Sequence, residues 1–545
     1  MWIHWQRQTW FTAILIGAAL LLGQSDLGLA QSSNLETVEA TQEAAGEEGL
    51  QTQIKISPET TVLTQPLDNR GYLNVGQAVN DYLAAKCRPE DNAAADFIRA
   101  LGGRAEGQIL TYACEQLHVD VPPETGRFVK SVRLFADQQG WSQERMIQLG
   151  EDISECPDQV WTAADFPDLH LYLEECEPGY DWIEVAIQKS GWHVPRDAKD
   201  ESVIMLSLSE VQEARNIARG LGSRVTLNLG EGKYDEAWRN IILMRGLARK
   251  IAQGPTLIEG LVGIAIDRIA CQSTLIWLEN LPESYDRFDD QLESIQKLGP
   301  MPHLSTNLLF ERLMFVDTIQ ILAQGGFSDI ARDALMMEQT NVDVIMNQAL
   351  QFAGPDWNQV LLNANEYYDR LEAAYLSGTV KERREQLAKL EEELKERRDR
   401  VEDFGKNPLR FAAWALFPNR ARRESTELMT NVLFSLLLPA LTAVERASTR
   451  TLNDQAVTTL AIKIFAERSK TGEFPKSLEA MRLNERRFRW KDLVSGEPYE
   501  YRREGRGFVL YNVGQDGVDN EGPAREEGQS GDDFGIDFPG FEKLP

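Results

Sequence analysis

Apolar residues recur at spacings of three and four over most of this chain, a period that predicts a mainly α protein. In the first region the pattern predicts helices over 74–86, 92–101, 106–117 and 124–139, broken often by Pro and Gly. Two more are predicted between 203 and 251, joined by a turn of small and polar residues from Gly230 to Tyr234. Thr256 then caps a helix that is apolar nearly all round, through Ile258, Leu261, Val262, Ile264, Ile266, Ile269 and Cys271. A helix without a polar face belongs at the centre of a core. Further helices are expected over 303–325, 328–352 and 356–377.

The pattern changes twice after that. From 380 to 403, Val380, Leu387, Leu394 and Val401 fall seven apart, but of the positions between them, Arg383, Leu390 and Arg397, only Leu390 is apolar. With Glu385–Lys389 and Glu391–Lys395 pairs on its surface, this stretch is read as a protruding, charged helical arm. Near the C-terminus the period drops to two: Tyr499 and Tyr501 alternate, and Phe508 to Tyr511 forms an apolar run. This predicts a two-stranded β element with a turn at 504–507, followed by a Gly- and Asp-rich loop from 514 to 535.

At 545 residues the chain is too long for one core. The expected division is 1–30 as a secretory leader, 31–69 as a flexible spacer, 70–200 and 201–378 as helical domains, 379–424 as arm and connector, and 425–545 as a small α+β domain. The leader rests on Arg7, the apolar run from Trp10 to Gly23, and small residues at Gly28 and Ala30 before Gln31. It implies export to the periplasm or beyond, with no membrane span once removed; an uncleaved anchor is the alternative. Eighty-five acidic residues against 57 basic ones leave a net charge of −28, which disfavours nucleic acid and anionic lipid as partners.

Four of the five cysteines, Cys87, Cys114, Cys156 and Cys176, lie in the first region. In an exported chain an even group implies two disulfides, with three possible connectivities; pairing of neighbours, Cys87 with Cys114 and Cys156 with Cys176, is the one expected. No Cys-x-x-Cys or His-x-x-x-His spacing points to zinc.

Signatures of nucleophile elbows, phosphate loops, zinc peptidases and dinucleotide folds are all missing. A reaction would have to rest on paired carboxylates, and the central helix supplies Glu259 and Asp267, which need arginine partners such as Arg245, Arg249 or Arg268 if they are structural. Two classes of function follow. One is a helical binding or scaffold protein with a protein or envelope partner; the other is a secreted carboxylate-dependent hydrolase of the glycosidase kind whose acid pair no local spacing reveals, with Glu259 and Asp267 as candidates.

Three resemblances refine this. The segment Gly230-Glu-Gly-Lys-Tyr234-Asp-Glu-Ala237-Trp resembles half of a tetratricopeptide repeat, without a second copy. The stretches 91–102, 161–167 and 253–259 resemble parts of large exported bacterial helical proteins, which implies a layout and no activity. Leu436 to Leu441, Glu445-Arg-Ala447, Asn453, Leu460-Ala461, Thr471 to Pro475, 492–502 and Leu510 to Gly517 together resemble a type II secretion pseudopilin from mid-helix onward. That resemblance implies a calcium loop, with Asp516, Asp532 and Asp533 as side-chain ligands and carbonyls near Leu510 and Val513 completing the shell. The loop is not an EF-hand, since the third and sixth positions from Asp516 are Val518 and Glu521. Unlike a pseudopilin, this module is internal to its chain, and its loop is longer between Asp516 and Asp532.

Overall fold

A computed structural model describes residues 53–102, 107–122, 128–197, 203, 208–325, 354–405, 417–437, 441–481, 489–523 and 533–538. Among them fifteen α-helices precede one small antiparallel sheet. The leader, the helix expected over 328–352 and the connector at 406–416 lie outside the described residues.

The first helices are α1 (Val75–Ala84), α2 (Ala94–Leu101), α3 (Gly107–Leu117), α4 (Val132–Gln139), α5 (Gln143–Glu155) and α6 (Pro167–Gln188). Local chemistry sets their ends. Asn74, Ser131 and Ser142 each accept a backbone N–H of the first turn of α1, α4 and α5, and Gly140 closes α4 in the left-handed region. Then come α7 (Ser209–Gly230) and α8 (Tyr234–Ile251), an antiparallel hairpin whose turn needs Gly232 at φ 72°.

The central helix α9 (Leu257–Glu279) starts with a capping box in which Thr256 accepts the Glu259 amide and Glu259 accepts the Thr256 amide. Its length and apolar content would suit a membrane span, yet 67% of its most apolar stretch is enclosed by protein. After it come α10 (Phe288–Lys297), α11 (Leu308–Gly325), α12 (Trp357–Tyr375), α13 (Val380–Gly405), α14 (Pro418–Leu437) and α15 (Leu441–Thr471). The sheet follows, with strands β1 (Glu500–Glu504), β2 (Gly507–Asn512) and β3 (Phe534–Phe538) in that order.

Two hydrophobic cores form, and neither respects the segment boundaries expected from sequence. One gathers α2, α6, α7, α8, α10, α15 and the sheet, from Ala93 to Phe538. The other gathers α1, α11, α12, α13 and α14, from Ile54 to Ala447. Helix α9 serves both: Leu257 and Ile264 enter the second core, while Ile266, Ala270, Cys271 and Trp277 enter the first. Its lack of a polar face therefore has a direct cause, since different sides of the helix are covered by different cores.

Three expectations need correction. The spacer is not free to residue 69: Ile54 and Thr61 are fully buried, and Asn365 of α12 donates to the Glu59 and Thr60 carbonyls. The charged arm does not protrude, because Leu387, Leu390, Leu394 and Val401 form a buried stripe against the second core. The sheet has three strands. Gly535 looks like a loop residue but stands in β3 where the Leu510 carbonyl of β2 approaches so closely that a Cβ would collide with it.

Candidate functional site

The acidic C-terminal loop is held by a frame that the sequence builds in steps. Phe465 of α15 meets Phe474, Phe508 and Phe538 in edge-on contacts, so the sheet is clamped to the helix by aromatic packing. The predicted turn at 492–498 is present. Asp492 accepts the Val494 and Ser495 amides of its own turn, the Asn453 side-chain amide at 3.1 Å and the Val513 amide at 3.3 Å. Asn453 in turn accepts from the Tyr499 hydroxyl at 3.0 Å and the Leu493 amide at 3.0 Å. Helix, turn and the end of β2 thus share one buried network.

From Val513 the chain leaves β2 and returns at Asp533. Gly514 and Gly517 take left-handed backbone angles of 67° and 70°, which let the loop fold on itself. Asp516 accepts the Val518 amide at 2.8 Å, and Asp519 accepts the Glu521 amide at 2.8 Å and the Tyr511 hydroxyl at 2.9 Å. Asp533, at the far end, accepts the Asn520 and Gly522 amides at 3.0 and 3.2 Å. A tether comes from α13: Arg384 donates to the Gln515 side-chain carbonyl at 2.5 Å while also meeting Glu445 at 2.9 Å.

The expected calcium ligands are only partly drawn together. Asp516 and Asp533 sit at opposite ends of the loop with carboxylates engaged by its amides, and Asp532 lies outside the described residues. Leu510 is in mid-strand, paired with Tyr501 and Ile536, and its carbonyl lies against Gly535. Val513 stands at the loop entrance with its amide fixed by Asp492. Among the described residues no cluster of three acidic, His or Cys side chains is arranged as a metal centre.

The two acids of α9 are both buried and both paired. Asp267 meets Arg249 at 3.0 Å, as the sequence suggested, and accepts the Gln455 amide of α15 at 2.7 Å. Glu259 pairs instead with Arg196, at 2.9 Å, and Arg196 also binds Glu210. The Asp267 and Glu259 side chains are 0% and 1% exposed. Nearby Glu311 accepts the Leu257 amide and is pushed up to about 7, chiefly by burial and further by Glu259, against the pull of that amide. Glu259 has a complete structural explanation as cap and ion-pair partner. The Thr-x-x-Glu signal for that role is present in the sequence; Arg196 carries none.

No disulfide joins the described cysteines, and all five are thiols. Their separation in sequence is a poor guide because each is packed among different neighbours. Cys87 fills the space beside Gly191, and Cys176 accepts the Lys130 amide at 3.3 Å from the middle of α6. Cys114 is buried on α3 and Cys156 ends α5, its carbonyl held by Thr226. Burial pushes the Cys156 and Cys271 thiols up to about 12, so neither carries the thiolate needed for exchange.

Comparison of the chain with family models, curated proteins and solved structures returns no match.

Proposed function

We propose that this chain is an exported binding or scaffold protein, acting on a protein or envelope partner, whose pseudopilin-like C-terminal module is stabilised by calcium. The observation that carries this reading is the position of the acidic loop. It joins β2 to β3, adjacent strands of a sheet that packs on α15, so both of its ends are fixed on one rigid frame. A long helix, a three-stranded antiparallel sheet and an acidic loop before the last strand agree with the resemblance found in sequence. An ion bridging Asp516, Asp532, Asp533 and the Val513 carbonyl would supply the cross-link that the loop's own composition cannot.

The setting of α15 shapes the role. It is enclosed by α9, α10 and the sheet, with Gln455 and Thr458 bonded into the α8–α9 network. The module therefore braces the helical body instead of offering its helix for polymerisation. The hydrolase alternative draws no support from Glu259 and Asp267, which are buried and paired with Arg196 and Arg249.

Thermal melts of the full chain in calcium, magnesium and chelator test the reading. Calcium alone should raise the melting temperature, since an ion at about one hundred times its Kd adds roughly 2.7 kcal/mol. It should also slow tryptic cleavage after Arg525, and Asp516→Ala should remove both effects. Identical melts and identical cleavage in all three conditions would overturn it.

A further inference from the structure

A second polar feature lies away from the C-terminal loop, in a cleft of about 370 Å3 between α12, α13 and α14. Its walls follow from helical spacing. Asp356, Gln359 and Asn363 line one face of α12 at intervals of three and four, and Arg423, Glu427 and Thr430 do the same on α14. Arg397 enters from α13. All ten lining residues are polar, whereas small-molecule pockets are mostly apolar.

The charges there do not cancel. Arg422 meets Asp356 at 3.4 Å, and Glu427 meets Arg400 at 3.7 Å. That leaves Arg397 and Arg423 with no carboxylate within ion-pair distance among the described residues, in a chain with 85 acidic and 57 basic side chains. Arg397 is fixed in place: its guanidinium lies over the Phe434 ring at 5.0 Å and donates from one Nη to Asn431 at 2.9 Å. Its Nε is buried with no acceptor. Burial draws the Arg397 pKa down, helped by Arg400 and opposed by Glu393, Tyr367 and Glu427, so desolvation of its guanidinium outweighs the carboxylates nearby. On the facing wall Gln359 donates to Asn363 at 2.9 Å, and Asn363 to Thr430 at 3.4 Å, so amides and hydroxyls stand in a fixed row.

We propose that this cleft binds a small hydrophilic organic anion, a carboxylate or phosphate carried on a hydroxylated frame, with Arg397 and Arg423 holding the anion and the Gln359–Asn363–Thr430 row reading the hydroxyls. Arginine suits the task because its planar fork matches the oxygens of either anion. The volume admits a molecule of sugar-acid or sugar-phosphate size.

Calorimetric titration of the full chain at low ionic strength with glucuronate, glucose 6-phosphate, inorganic phosphate and neutral glucose tests this. At least one sugar anion should bind saturably with a Kd of about 1 mM or tighter, and glucose should not. Glucuronate alone or glucose 6-phosphate alone tells which anion the fork accepts. Arg423→Gln, at an exposed position with no ion-pair partner among the described residues, should weaken binding about tenfold or more with the melting temperature unchanged. Arg397→Gln should weaken it further. Equal affinity in calcium and in chelator would separate this site from the loop, so either proposal can fail alone. No saturable binding of any anion, inorganic phosphate binding as tightly as the sugar anions, or unchanged affinity in Arg423→Gln would overturn the assignment.

Discussion

Helices α9 and α13 reach burial by opposite routes. The first is apolar on nearly every side and is covered by two cores, so its few charges must be neutralised inside the protein: Glu259 by Arg196, Asp267 by Arg249. The second is dominated by charged residues, yet a single stripe of Leu387, Leu390, Leu394 and Val401 seats it as firmly against its neighbours. The arginines that interrupt the stripe find roles of their own. Arg383 lies 3.6 Å from buried Glu445, and Arg397 stacks over Phe434. What places a helix is the continuity of one face, and long cationic side chains can complete that face while keeping their heads paired or wet.

The largest expected effect tests α9. Ile264 is 5% exposed in the second core, so Ile264→Asp places a charge among buried apolar side chains. Such a change costs several kcal/mol, enough to unfold a marginally stable domain. Loss of the cooperative melt is the expected result; an unchanged midpoint would mean that α9 does not sit between the cores.

Next comes α13. If its stripe is as buried as described, Leu390→Ala removes packed methyl groups at 3% exposure and should cost about 2–5 kcal/mol in urea unfolding. A free arm would show almost none.

How much of this is legible in the sequence can be judged from the same two helices. The centrality of α9, its Thr256 cap and the Arg249 partner of Asp267 can all be read locally, because each depends on spacing within or beside one helix. Arg196 cannot, since it meets Glu259 across 63 positions of sequence. The seven-residue stripe of α13 is visible too, but its arginines look like breaks because Glu445 and Phe434 lie on helices that only the fold brings near. At the C-terminus the hairpin and the Asp492 turn are readable from alternation and turn chemistry. Strand β3 is hidden by Gly535, whose reason is a neighbouring carbonyl. For the expected calcium ligands, spacing supplies a set of acids in one loop, and whether they converge depends on the loop's path.

A smaller effect separates buried charge from exposed charge by pH. Asp454 of α15 is fully buried near Arg268 of α9, and burial pushes its carboxyl up to about 6 from an ordinary 3.8, against the pull of Arg450 and Arg268. The folded chain thus holds this proton more tightly than the unfolded one. Its contribution to stability is full below pH 3.8 and is lost as pH rises through 6. Asp454→Asn removes that dependence. The stability of the variant relative to the parent should rise between pH 4 and pH 7 by up to roughly 3 kcal/mol, since each tenfold difference in proton affinity between folded and unfolded chain is worth about 1.4 kcal/mol. A difference that stays flat across this range would place the carboxyl in water.

The smallest expected effect is the sharpest on α13, because it concerns the residue next to Leu390. Lys389 is exposed, and no carboxylate lies within ion-pair distance of it among the described residues. Its side chain points away from the stripe because adjacent helical positions face about 100° apart. Lys389→Ala trades one good helix former for a slightly better one, so stability should change by no more than about 0.5 kcal/mol in either direction. Chemical denaturation of the two variants side by side reads the comparison directly. A large loss for Leu390→Ala beside a negligible one for Lys389→Ala marks a helix with one buried face. Equal small effects would return α13 to solvent, and equal large effects would mean that another part of the molecule covers the Lys389 side of the helix as well.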